Sequence, residues 1–110
     1  MRQILIDEIS PADISKLSHF LENHARPSSI LGLYWVEISP DLLDPEQAAS
    51  PNDHPFCFAV EVGDSWAKFE FLIRSRINIK SENTRYANPE QVRFILDYCQ
   101  RLIESLNLRT

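Results

Sequence analysis

Glycine and cysteine are scarce in this chain, and each shortage excludes a class of function. Among 110 residues only Gly32 and Gly63, and only Cys57 and Cys99, are present. A glycine-rich phosphate loop and a nucleophilic serine elbow both need more glycine than this, so neither is present. Two cysteines that are not in close metal-ligand spacing are too few for a disulfide framework. We therefore expect two reduced thiols, no metal and no other cofactor.

Positive charge and long apolar runs are also in short supply. The chain has 11 Lys and Arg residues against 16 Asp and Glu, and its net charge of −5 argues against general binding to nucleic acid or anionic membranes. No apolar run approaches the ~20 residues of a membrane span, and the N-terminal residues lack the pattern of a secretory signal. The 44% of hydrophobic residues suffices for one core, so we predict a single domain over residues 1–110 in the cytoplasm.

The strongest structural signal is a β-hairpin over Phe56–Ile77. With Gly63-Asp64 as a two-residue loop, the apolar residues of the two strands face one another, and polar or small residues form the alternate row. The predicted apolar pairs are Val60 with Ala67, Phe58 with Phe69 and Phe56 with Phe71, and the alternate pairs are Glu61 with Trp66, Ala59 with Lys68 and Cys57 with Glu70. This sorting predicts that protein covers one face of the sheet and not the other.

Four motifs of a capping residue followed by proline predict helix starts. They begin at Ser10, Ser39, Asp44 and Asn88. The polar side chain of each accepts a hydrogen bond from an unpaired helix amide, and proline at the first helical position loses no bond. A Gln three residues after Asp44 and after Asn88 completes the pattern of a capping box.

The remaining elements follow from the spacing of apolar residues. The first helix is predicted over Pro11–Asn23 and the last over Pro89–Leu106, where apolar side chains recur at helical spacing. Ile30–Ile38 is rich in aromatic and β-branched residues and is predicted to be a strand. Between this strand and the hairpin, Ser39–Pro55 holds four prolines and one or two helical turns. After the hairpin, Asn78–Ala87 is polar and unpatterned.

The predicted fold class is α+β. It comprises a helix, a three-stranded antiparallel sheet, a short helical insertion and a long C-terminal helix packed on one sheet face through Ile95, Cys99 and Leu102. The short apolar run within Gln3–Glu8 leaves open a fourth, N-terminal strand or a lead-in to the first helix. A small sheet with both helices on one side leaves its other face open, or covered by a second subunit.

The histidines give little sign of catalysis. His54 lies three residues before Cys57, a spacing that raises a metal site or a Cys–His pair as possibilities. However, Asn-Asp before His-Pro is ordinary loop chemistry, and Cys57 is predicted to lie on a sheet face, so a structural role is favoured. His19 and His24 are five residues apart and point to different sides of a helix. No catalytic residue and no metal ligand is predicted, and the sequence argues against an enzyme.

The polar face of the hairpin is the candidate binding surface. Trp66, Arg74 and Arg76 are separated by even numbers of residues, so in a regular strand they point to one side. Trp35 joins this face if its strand joins the sheet. Exposed cross-strand ion pairs, the plain structural interpretation, are worth only about 0–1 kcal/mol. Trp and Arg are the residues enriched at interface hot spots, which favours binding by these four residues.

Two functions are therefore expected from different classes. The first is a small acidic protein-binding module of adaptor, chaperone or inhibitor type, which associates with a protein partner or with itself as a homodimer. The alternative is a small-ligand-binding protein or enzyme with an anion site near Arg74 and Arg76. Neither expectation involves nucleic acid or a membrane.

Overall fold

The computed structural model describes residues 2–110 and confirms an α+β fold, with a larger sheet than predicted. The prediction of three strands was wrong, because the antiparallel sheet has seven. The strands are β1 (Gln3–Ile6), β2 (Arg26–Pro27), β3 (Leu33–Glu37), β4 (Phe56–Val62), β5 (Ala67–Glu70), β6 (Leu72–Ser75) and β7 (Arg85–Tyr86), and the helices are α1 (Pro11–His24), α2 (Pro45–Ala48) and α3 (Pro89–Ser105).

The additional strands are too short to produce a periodic pattern in the sequence. The order across the sheet is β1-β5-β4-β3-β2, and β6 pairs with β4 and with β7. Strands β2 and β7 have two residues each. The ambiguous N-terminal run is β1, which pairs with β5 from Gln3 opposite Glu70 to Ile6 opposite Ala67.

The hairpin forms between β4 and β5, but its predicted register was wrong by two residues. Val60 lies opposite Phe69 and Val62 opposite Ala67, so Phe58 does not face Phe69. The loop therefore has four residues, from Gly63 to Trp66, and is closed by a 2.8 Å hydrogen bond from the Gly63 N–H to the Trp66 carbonyl. Because side chains alternate with a period of two, a shift of two residues leaves every side chain on its predicted face.

The strand that pairs with β4 is interrupted between β5 and β6 by two extra residues. Three residue steps on β4, from Val60 to Cys57, correspond to five on the partner, from Phe69 to Arg74. At the break, the Phe71 N–H donates to the Arg2 carbonyl and the Phe71 carbonyl accepts from the Ala87 N–H. Phe71 is thus bonded away from β4, and Phe56 lies opposite Ser75 instead of the predicted Phe71. The two extra residues again preserve the two faces.

Both long helices pack on one face of the sheet, which we call the phenylalanine face because it carries Phe56, Phe58 and Phe69. Leu17 and Leu21 of α1 and the stripe of Ile95, Cys99 and Leu102 on α3 form one core cluster with this face. The sheet contributes Tyr34, Val36, Phe56, Phe58, Val60, Ala67, Phe69 and Ile73 to the cluster. Within residues 2–110, no member of the alternate row belongs to it. The predicted contact between α3 and this face is present, since the Phe58 ring meets the Phe94 and Tyr98 rings edge-on, with centroids 6.5 and 5.8 Å apart.

Three of the four predicted helix caps form. The Ser10 hydroxyl accepts from the Asp13 N–H at 3.2 Å. Asp44 and Asn88 both form full capping boxes with the Gln three residues later. Ser39 makes no side-chain cap bond, because only a single 3₁₀ turn, Pro40–Leu42, follows it.

The 39–55 insertion is fastened to the rest of the chain through buried amides. The Gln91 Nε2 donates to the Gln47 Oε1 at 3.0 Å and to the Leu42 carbonyl at 2.9 Å. The Gln47 Nε2 donates to the Asn83 carbonyl at 3.1 Å. Both glutamines are almost fully buried, so these bonds satisfy polar groups that water does not reach.

Asp53 makes the second attachment of the insertion. Its carboxylate accepts from the Asn78 Nδ2 at 2.7 Å and from the Ser81 hydroxyl at 2.6 Å. These two hydrogen bonds, led by the one from Ser81, lower the pKa of Asp53 below its usual value. The segment that follows β6, which carries no periodic pattern, is therefore held in place by side-chain hydrogen bonds.

Candidate functional site

The helix-free face of the sheet carries the side chains of the alternate row. The term helix-free face denotes the side of the sheet that presents Trp35 of β3, Lys68 and Glu70 of β5 and Arg74 of β6, together with Cys57 and Ala59 of β4. Trp35 lies opposite Ala59, and Arg74 lies opposite Cys57. The small side chains of Cys57 and Ala59 are buried beneath their large neighbours, while Trp35 and Arg74 remain partly exposed.

Three of the four predicted binding residues lie at one cavity. Trp35, Arg74 and Arg76 line a space of about 190 Å³, together with Ser75, Ile79 and Thr84. The Arg74 guanidinium carbon lies 5.2 Å from the centre of the Trp35 ring, within the range of a cation–π contact. We call this space the arginine cavity.

The two arginines of the cavity differ in their partners. Arg74 donates from an Nη to the Glu70 carboxylate at 2.7 Å. Arg76 bonds only through its backbone N–H, which donates to the Pro55 carbonyl at 3.0 Å. Among residues 2–110, no carboxylate oxygen lies within 4.0 Å of its guanidinium, although the side chain is partly buried. Arg76 is therefore a partly desolvated cation without a counter-charge.

The Nε atoms of both arginines are shielded from solvent and unpaired. Neither Nε–H finds an acceptor in the described chain, and neither is reached by water. An unsatisfied buried donor costs about 1–3 kcal/mol, and more when it belongs to a charged group. Buried donors without a partner are uncommon in native proteins, so this pair makes the cavity the most informative part of the helix-free face.

Trp66, the fourth predicted residue, lies apart from the cavity. It belongs to the loop before β5, and its ring lies against Gly63, where a Cβ would overlap the indole. The Lys68 ammonium lies 4.8 Å from its ring centre. The loop follows Val62, whereas Arg74 pairs with Cys57, five residues earlier on β4, which is about 16 Å at 3.3 Å per residue. The two tryptophans thus occupy separate parts of the same face.

Cys57 and His54 do not form a catalytic pair. Burial raises the pKa of the Cys57 thiol to about 11, and the nearby Arg74 and Arg76 offset this only in part. His54 instead shares a 2.8 Å hydrogen bond between its Nε2 and the Gln47 carbonyl. Within residues 2–110, no three side chains of His, Cys, Asp or Glu are grouped to hold a metal ion. In the same range, no helix has both the length and the apolarity to cross a membrane.

A second cleft lies at the edge of the sheet beyond β2. It has a volume of about 520 Å³ and is lined by His24, Arg26, Trp35, Glu37 and Tyr98, among others. His24 is the last residue of α1 and stacks on Phe20, with ring centroids 4.3 Å apart. This stacking and the 3.0 Å contact between its Nδ1 and the Phe20 carbonyl give it a structural role.

Sequence reasoning missed the outer wall of the arginine cavity. Ile79 and Thr84 come from the polar segment after β6, where no period links them to the strand residues. One signal was available, because Ile77 and Ile79 are apolar in an otherwise polar stretch, and both are exposed. Exposed Ile79, which lines the same cavity as the partly exposed Trp35, enlarges the apolar part of this surface.

Comparison with known proteins finds no matching family model, no matching curated protein and no matching solved structure. A function for this chain is therefore inferred from its geometry.

Proposed function

We propose that this chain is a non-enzymatic protein-binding module whose binding surface is the helix-free face of its sheet. One observation carries the proposal: both long helices pack on one face, and Trp35 and Trp66 stay partly exposed on the other. Uncovered apolar surface rimmed by polar groups is typical of interaction sites. Trp and Arg are also the side chains that most often dominate interface energies.

Self-association as a homodimer is the simplest form of this proposal. A second copy presents the same tryptophans and charged side chains without any further gene product, and cyclic dimers are the commonest assemblies. A separate protein partner, bound in the manner of an adaptor, chaperone or inhibitor, is the other form. We place the protein in the cytoplasm, since Cys57 and Cys99 are free thiols on opposite sides of the sheet, as expected in a reducing compartment.

Substitution of Trp66 tests the binding surface. Trp66→Ala should weaken an assembly by about 2 kcal/mol or more, roughly thirtyfold in the dissociation constant, because a buried Trp is a hot-spot residue. Lys68→Ala is the matched control, since it removes the charge that lies on the same ring but leaves the indole available. Sedimentation velocity over a wide concentration range measures both variants against the parent chain.

Each outcome bears on the proposal. Assembly of the parent chain that is lost in Trp66→Ala and kept in Lys68→Ala supports the homodimer. A strict monomer at the highest concentration excludes self-association. Assembly that survives Trp66→Ala and Trp35→Ala together shows that a different surface is used, and the proposal would then be wrong.

A second candidate function is small-anion binding at the arginine cavity. One observation favours it: Arg76 has no acidic partner within 4.0 Å among residues 2–110. A partly buried guanidinium of this kind is the usual recognition element for carboxylate and phosphate groups.

A further inference from the structure

We infer that the arginine cavity binds one carboxylate group attached to a small apolar body. This inference names the ligand class of the second candidate function and does not depend on whether the helix-free face binds protein. It rests on the size of the cavity, its net charge and the chemistry of its walls.

The size of the cavity favours a small ligand. Its volume of about 190 Å³ lies below the roughly 300–1,000 Å³ of pockets that hold cofactors and other large ligands. A single side chain or a small organic acid therefore suits it best.

The charge of the cavity favours a monoanion. Arg74 and Arg76 contribute two positive charges, and the Glu70 carboxylate, bonded to Arg74 at 2.7 Å, removes one of them. Glu37, across from Cys57 on β3, adds a more distant negative charge that acts on the same thiol as the two arginines. Because Glu37 is exposed and water screens its charge, the net charge beside the cavity stays near one positive, which matches a carboxylate better than a dianionic phosphate.

The donor geometry and the walls favour a carboxylate as well. The guanidinium of Arg76 is planar, and a carboxylate that meets its outer edge accepts from the two terminal Nη–H groups together. This arrangement would supply the acidic partner that Arg76 lacks within 4.0 Å among residues 2–110. Trp35 and Ile79 supply apolar walls, and the two arginines supply the polar side of the lining. An alkyl or aryl carboxylate uses both kinds of wall.

Nuclear magnetic resonance of the isotopically labelled full chain tests the inference. The Trp35 indole and the Arg76 Nε–H are read during titrations with propionate, benzoate, phosphate and chloride at matched ionic strength. Saturable shifts of both signals are expected with propionate and benzoate, and weaker effects with phosphate. The Trp66 indole is the internal reference, since it lies outside the cavity and should not move.

Matched arginine substitutions assign the effect to the cavity. Arg76→Gln removes a charged donor pair and should weaken propionate binding at least tenfold. Arg93→Gln, at an exposed position of α3, makes the same chemical change away from the cavity and should have no effect. If Arg76→Gln fails to fold, Arg76→Lys replaces it, because this variant keeps the charge and loses the planar fork.

The source of the carboxylate is settled by a further titration. A glutamate blocked at both ends presents the same group as propionate on a peptide. Equal binding of the two assigns the cavity to an acidic side chain of a protein, and exclusion of the blocked glutamate assigns it to a free small acid. Both results support a carboxylate site.

Two results would overturn the inference: no saturable shift with any carboxylate, or shifts that chloride reproduces or that persist in Arg76→Gln. Neither result changes the sedimentation behaviour of the parent chain, so failure of the carboxylate site is distinguishable from failure of the protein-binding surface.

Discussion

Truncation of Leu102 measures how strongly α3 is held on the sheet. Leu102 is 3% exposed and belongs to the core cluster with the phenylalanine face. Leu102→Ala removes three carbon atoms, worth about 0.8 kcal/mol each, which gives about 2.4 kcal/mol for lost burial. Incomplete collapse of the surrounding side chains adds a cavity term, so the expected loss in the free energy of unfolding is about 2–5 kcal/mol.

Urea unfolding followed by circular dichroism is the assay. With a slope of about 2 kcal/mol per molar urea, the midpoint should fall by roughly 1–2.5 M. Leu96→Ala is the control, because Leu96 lies on the same helix and is 48% exposed. Its expected effect is about 0.5 kcal/mol or less.

Equal midpoints for Leu102→Ala and the parent chain would refute the reasoning. Such a result would show that the stripe of α3 does not carry the stability that its burial indicates. A large loss in Leu96→Ala would be equally damaging, since it would mean that the outer surface of α3 is covered in solution.

Two further predictions concern the backbone and the response to acid. Gly32→Ala should lower the free energy of unfolding by about 1–3 kcal/mol. The reason is that φ is +83° at this position and that a Cβ would lie 2.8 Å from the Val62 carbonyl oxygen. An unchanged thermal midpoint would contradict this prediction. For Asp53, hydrogen bonds from Ser81 and Asn78 lower the pKa in the folded state, so its stabilising effect is full above the unfolded value of about 3.9 and is lost as pH falls through the lower folded value. Unfolding measured from neutral to acid pH should show this decline, and Asp53→Asn should make it shallower; equal slopes would show that Asp53 does not contribute.

The faces of the sheet could be predicted from the sequence, but the register could not. Alternation of side chains fixes which residues share a side, and Phe58, Val60 and Phe69 lie in the core as expected. A two-residue and a four-residue loop after Val62 preserve the same alternation, so the pattern does not separate them. In the four-residue loop the Trp66 ring lies against Gly63, a detail of local packing that alternation does not encode.

The short strands depend on contacts between residues that are distant in the sequence. Strand β1 pairs with β5, whose residues lie more than sixty positions later. Strand β7 is held by its pairing with β6, and the Tyr86 ring lies 4.4 Å from the Arg2 guanidinium carbon. A segment of two residues has no period of its own, so only the assembled sheet defines it as a strand.

The candidate site was also predictable only in part. Alternation along one strand placed Arg74 and Arg76 on one surface, whereas Trp35 was assigned to it only on the condition that its own strand joined the sheet. Their meeting at one cavity depends on the pairing of β3 and β6 with β4, and the separation of Trp66 follows from the loop. These are tertiary facts that the spacing of residues does not contain.

The linked amides of Gln47 and Gln91 affect how the domain moves. Each glutamine completes the capping box of its own helix, and the Gln91 Nε2 also donates to the Gln47 side chain. Opening the insertion alone would therefore strand buried donors and acceptors at the first turn of α3, at about 1–3 kcal/mol for each unsatisfied group. The insertion and the start of α3 thus form a single cooperative unit of local unfolding. The 39–55 insertion, although it is the longest connection in the chain, is therefore ill-suited to open as a lid. Motion near the helix-free face is expected in the loops between its strands instead.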